Sequence, residues 1–89
     1  MSPEENRLIE LLDSRHEWPS LFAFKFIVPE ASIPALREAV PEAEKVEERP
    51  SSGGKYTAFP FHLPMGSGRE VLDVYARVRD REIPGLISL

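Results

Sequence analysis

The sequence predicts an α+β domain of ferredoxin-like type: a four-stranded antiparallel sheet in βαββαβ order, preceded by one extra helix. Three observations carry this. Residues 21–28 and 55–63 place apolar side chains at every second position, the period of half-buried strands. The stretches around residues 3–14, 32–40 and 68–79 repeat apolar residues at helical spacing. Nine prolines punctuate the chain so that helices fall between strands, with one tight turn between the middle pair.

The first helix starts at Ser2-Pro3-Glu4-Glu5, where Ser2 can accept the Glu5 N–H and Pro3 suits the first helical position. Leu8, Ile9, Leu11 and Leu12 form its apolar stripe, and Trp18-Pro19 follows as a break. In residues 21–28, Phe22, Phe24, Phe26 and Val28 share one face. That face is the expected core side, because the other must place Lys25 beside Leu21, Ala23 and Ile27. Glu30 or Ser32 is positioned to cap a second helix with Pro34 in its first turn and Ile33, Leu36, Ala39 and Val40 as its apolar face. Residues 42–49 read as a charged edge strand, with Glu44, Glu47 and Glu48 discouraging aggregation. Pro50-Ser51-Ser52-Gly53-Gly54 is a turn, and residues 55–63 follow as a strand. Pro60 lies inside that strand and predicts a bulge or a local break. Ser67-Gly68-Arg69-Glu70 is a second capping box, before a stripe of Val71, Leu72, Tyr75 and Val78. Asp73 and Arg77 stand at helical pairing distance. Arg77, Arg79 and Arg81 complement the helix's carboxyl end, and residues 86–89 close the sheet.

At 89 residues and 10.1 kDa, one domain is expected over 1–89, with 1–17 a helical extension and 18–89 the core. The absence of cysteine excludes disulfides, thiolate chemistry and cysteine zinc sites. No apolar run approaches the ~20 residues of a membrane span, and the acidic start is unlike a signal peptide, so a cytoplasmic setting is expected. The net charge of −4 divides into −6 over residues 1–48 and +2 over residues 49–89. An acidic whole disfavours nucleic acid as a partner, while the basic second half permits a local anion site.

The stretch Arg49-Pro50-Ser51-Ser52-Gly53-Gly54-Lys55-Tyr56 stands after Trp18-Pro19 and Phe22-Ala23-Phe24-Lys25-Phe26. With Val74-Tyr75-Ala76-Arg77 and Ile83-Pro84-Gly85-Leu86-Ile87, it resembles the YbeD-like family of small bacterial proteins over residues 15–89. The resemblance implies a ferredoxin-like fold similar to the ACT-type regulatory domains of amino-acid metabolism. It implies no reaction and no catalytic residues. ACT domains hold effectors near a glycine-bearing loop after the first strand, whereas Val28-Pro29-Glu30-Ala31-Ser32 has no glycine and carries a carboxylate.

Two candidate sites emerge. At the turn, Arg49, Ser51, Ser52 and Lys55 could offer cations, hydroxyls and backbone N–H groups to a small anionic ligand. The plainer reading gives the glycines to a hairpin's positive φ and the serines to its backbone. On the sheet face opposite the phenylalanines, Leu21, Ile27, Tyr56 and Ala58 are too apolar to leave fully in water. They are expected to meet a second copy, an unidentified protein partner, or the leading helix. Around residues 55–61 the RNA-recognition pattern fails, because Thr57 and Pro60 take an aromatic and a valine position. His16 and His62 stand 46 residues apart without further ligands, so no metal is expected, and no G-x-S-x-G motif is present. The first loop lacks the glycine and arginine of an acylphosphatase. The expected function is a non-catalytic, cofactor-free regulatory or protein-interaction module, acting as a homodimer through the open sheet face. The alternative is an ACT-like sensor with an effector at a subunit interface.

Overall fold

A computed structural model describes residues 2–43, 45–51 and 53–88. Along the chain run α1 (Pro3–Arg15), β1 (Ser20–Pro29), a 3-10 turn (Glu30–Ser32), α2 (Ile33–Ala39), β2 (Arg49–Pro50), β3 (Tyr56–Met65), α3 (Gly68–Asp80) and β4 (Ile87–Ser88). The strands form one antiparallel sheet in the order β2-β3-β1-β4. Among the described residues no helix is long and apolar enough to cross a membrane.

The centre is the ladder between β1 and β3, unbroken from Ser20 opposite Met65 to Pro29 opposite Tyr56. Period-two geometry turns Phe24, Phe26 and Val28 to the same side as Phe59, Phe61 and Leu63, and all six are buried. Phe24 stacks on Phe61 with ring centroids 5.3 Å apart, and Tyr75 of α3 tilts against Phe24 at 5.4 Å and Phe26 at 5.6 Å. Burial at that position pushes the Tyr75 phenol up. Leu36 and Ala39 from α2, Val40 just after it, and Val71, Val74 and Val78 from α3 close the core from above. Val74 therefore takes a core place expected for Leu72, which is only half-buried.

Two of the three expected N-caps form: Ser2 Oγ accepts the Glu5 N–H at 3.2 Å, and Ser67 Oγ accepts the Glu70 N–H at 3.3 Å. α1 packs in the helical layer against the start of α3, so it leaves the open sheet face uncovered. Gly68 N–H donates to Asp13 Oδ1 at 2.8 Å, and a Cβ at Gly68 would stand 2.9 Å from Leu12 Cβ and 3.0 Å from the Ile9 carbonyl oxygen.

Two local expectations are corrected by distant partners. Ser32 makes no cap hydrogen bond; its hydroxyl donates instead to the Pro84 carbonyl at 2.8 Å. Nearby Gly85, at φ +72°, lies so close to Pro29 that an added Cβ would meet its Cγ at 2.5 Å. These contacts seat the last loop on the end of β1 and deliver Ile87 opposite Ile27. Arg77 does not pair with Asp73 but with Glu42, at 2.7 Å. Arg81 likewise donates to the Glu38 carbonyl of α2, at 3.5 Å.

Among the described residues, which leave out Glu44, the expected strand over 42–49 shrinks to Arg49–Pro50, and Pro60 causes no bulge. One cause explains both corrections. In an antiparallel ladder, successive residues aim their backbone groups at opposite neighbours. Ser51 N–H donates to the Tyr56 carbonyl at 2.7 Å, so even-numbered β3 residues face β2. Pro60 and Pro64 share that parity. Their missing N–H groups leave the β1 ladder intact and leave His62 as the one N–H donor that residues 60–64 of β3 turn toward the chain before Arg49.

Two outcomes are expected. Gly68→Ala forces α1 away from α3 and lowers stability by about 1 kcal/mol in urea unfolding, the overpacking outweighing the ~0.5–1 kcal/mol a stiffer residue would add. Pro60→Ala restores a donor on the outer edge and lengthens β2 towards Glu47, read as a slowly exchanging amide at residue 60. An exchange rate there equal to that of an unpaired loop would refute the parity account.

Candidate functional site

The face opposite the core is built by the odd residues of β1 and the even residues of β3. Arg49, Ala58, Ile27 and Ile87 form one row across all four strands. Leu21 is 70% exposed, Ile87 47% and Tyr56 40%, with Ile27 and Ala58 half-buried between them. The structure thus brings Leu21, Ile27, Tyr56 and Ala58 onto one surface, as their parity requires. Lys25 stands exposed in the middle of it, opposite Pro60.

Charge on this face is sorted by the segment before β2. Glu42 pairs with Arg77 of α3, and Glu48 with Arg37 of α2, drawing both carboxylates to the helical side. Lys45, Glu47 and Arg49 alternate with them and turn to the sheet. There they join Lys25 and His62 around a recess of about 380 Å³, with Ala58 and Pro60 also lining it. Glu47 pairs with Arg49 at 2.9 Å. Lys25 and Lys45 have no ion pair among the described residues.

The residues proposed at the turn separate. Arg49 faces the recess, while Ser51 is absorbed by the hairpin: its hydroxyl accepts the Tyr56 N–H at 3.4 Å. Gly54, at φ +70°, donates its N–H to the Ser51 carbonyl at 2.9 Å. Lys55 is exposed beside the turn and does not line the recess, and Ser52 lies outside the described residues. Lys45 was missing from the sequence-derived set. Its signal was available, since an extended chain through Arg49 gives residues 45, 47 and 49 a common side.

A second, apolar groove of about 690 Å³ runs beneath α1, between Leu8 and Leu11 on one side and Phe22, Leu72 and Leu86 on the other. His16 packs beside it, tilted against Trp18 with ring centroids 5.3 Å apart and edge-on to Phe22 at 5.5 Å. Among the described residues no three His, Cys, Asp or Glu side chains come together as a metal would require.

The Arg77 guanidinium holds the Glu42 carboxyl below its ordinary value of 4.5. A depressed carboxylate contributes stability above its unfolded-state pKa and loses it as pH falls through the folded value. Glu42→Gln is therefore expected to cost about 0.5 kcal/mol at pH 7, as exposed pairs do. The difference from the parent protein should vanish once pH drops below the Glu42 pKa, in urea titrations run across the acid range.

Compared with known proteins, the chain matches no family model, no curated protein and no solved structure.

Proposed function

We propose that this chain is a non-catalytic regulatory module of ferredoxin-like fold, related to the YbeD-like proteins. It works in the cytoplasm by protein–protein contact through its open sheet face. The fold reading is supported by connectivity. β1 and β2 run parallel with β3 between them, and β3 and β4 run parallel with β1 between them, which is the interlocked split-βαβ pattern. The observation that carries the functional reading is the uncovered apolar surface of Leu21, Ile27, Tyr56, Ala58 and Ile87, which α1 leaves to solvent by packing on α3. A second copy is the first partner to test, because the face extends across all four strands.

A second reading, an ACT-like sensor with its effector at a subunit interface, is favoured by Lys25 and Lys45. Two stacked copies would oppose these cations, and an anion between the copies would relieve that repulsion.

Sedimentation velocity decides between the readings. The parent chain is expected to sediment as a dimer, and Tyr56→Glu should raise the monomer fraction while the far-ultraviolet circular dichroism stays unchanged. A parent chain that remains monomeric at high micromolar concentration would overturn the homodimer. A mass that rises only when a small anion is added would favour the sensor.

A further inference from the structure

We propose that the recess between the open sheet face and the segment before β2 is a binding site for a small dianion, held by Lys25, Lys45 and Arg49 with His62 at its side. The site is complete within one chain and stands whether or not the face makes a protein contact.

The charge count comes first. Among the described residues, three permanent cations line the recess against one carboxylate, Glu47, giving +2 with His62 counted as neutral, in a chain whose net charge is −4. Glu42 and Glu48 do not line this recess, being paired with Arg77 and Arg37. Exposed lysines without partners lose little hydration energy until a ligand arrives, and a doubly charged ligand relieves their mutual repulsion as it binds.

Geometry supplies the second support. The donors come from separate parts of the fold: Lys25 from β1, Lys45 from the segment before β2, Arg49 from β2 and His62 from β3. They can therefore close on an anion from several sides. A guanidinium offers two parallel N–H groups to a carboxylate or phosphate, and Arg49 can keep one such edge while the other stays on Glu47. The recess floor at Ala58 and Pro60 has small side chains, and proline offers no backbone N–H, so recognition falls to the surrounding side chains. At about 380 Å³ the space suits a small metabolite rather than a polymer. The acidic remainder of the chain also repels a polyanion. The chemistry shared by the fitting ligands is two negative charges on a compact body, as in a phosphomonoester or a short dicarboxylate.

The experiment is a heteronuclear NMR titration of the full chain at fixed ionic strength, below the concentration at which any dimer forms. The probes are inorganic phosphate, glycerol phosphate, succinate and acetate. Saturable shifts are expected at the amides of Lys25, Lys45, Arg49 and His62 with the dianions, at millimolar ligand or below, and not with acetate. Stronger binding of the phosphates or of succinate identifies which dianion the site prefers. Lys45→Gln and Lys25→Gln should each weaken binding about tenfold, the order lost with one charge-assisted contact, while Lys55→Gln at the hairpin leaves it unchanged. Equal response to acetate, shifts centred on Ser51 and Lys55, or unaltered affinity in both recess variants would each overturn the assignment. The oligomeric state is read separately by sedimentation, so failure here leaves the protein-contact reading standing and the converse holds too.

Discussion

The register between β1 and β3 governs nearly everything else in this molecule. Placing Phe24 opposite Phe61 and Phe26 opposite Phe59 puts four aromatic rings on one side of the two central strands. Once those rings are buried, parity dictates the other side: Lys25, Ile27, Ala58 and His62 must face away. A slip of one residue would seal Lys25 beneath the helices and expose the phenylalanines, exchanging a dry aromatic cluster for a buried unpaired charge. No neighbouring register comes near it in energy. The surface chemistry of the open face is thus a consequence of core packing rather than an independent feature.

The same parity gives the β3 prolines their meaning. Proline inside a central strand is normally a contradiction, because both edges need donors. Here Pro60 and Pro64 sit in the phase that faces β2, so the inner ladder is untouched and only the outer edge loses its pairing capacity. The outcome is a sheet edge that resists addition of another strand and a segment before β2 that runs beside β3 without bonding to it. Freed from the ladder, that segment is placed by its side chains. Glu42 and Glu48 go to arginines on α3 and α2, and Lys45, Glu47 and Arg49 are left toward the sheet. The recess lies along this sparsely bonded edge, and its positive charge comes from Lys25, Lys45 and Arg49.

This division explains what could be read in the sequence. Both serine caps, the alternating phenylalanines, the Gly53-Gly54 turn and the sidedness of Lys25 depend on residues within one helical turn or one strand, and such short-range signals are visible in the chain itself. What escaped depends on partners far along it. Ser32 has cap chemistry, but the Pro84 carbonyl, 52 positions away, competes for its hydroxyl. Arg77 has Asp73 at helical distance, yet the fold brings Glu42 to it from 35 positions away. Proline at residue 60 reads as a defect until the side of the strand it faces is known, and only the neighbouring hairpin reveals that side. For the candidate site, the four apolar face residues were legible by parity. Of the three described turn residues only Arg49 lines the recess, because the hairpin's own backbone claims Ser51; Ser52 lies outside the described residues.

The placement of α1 ties these strands of argument together. An amphipathic helix of 13 residues could have covered the open face, since both surfaces are apolar. It is held elsewhere by Asp13 on the Gly68 N–H, a carboxylate at a helix N-terminus where the dipole favours negative charge. The open sheet face presents Lys25, His62 and prolines around its apolar side chains and no helix N-terminus for Asp13 to cap. Polar anchoring at the edge therefore decides where a weakly buried helix rests. The cost is a surface of isoleucine, leucine and tyrosine left in water, made tolerable by the charge of Lys25 at its centre. A side chain that keeps such a surface soluble also keeps it open, and an open apolar face with a cationic recess is the part of this molecule chemically equipped to bind something else.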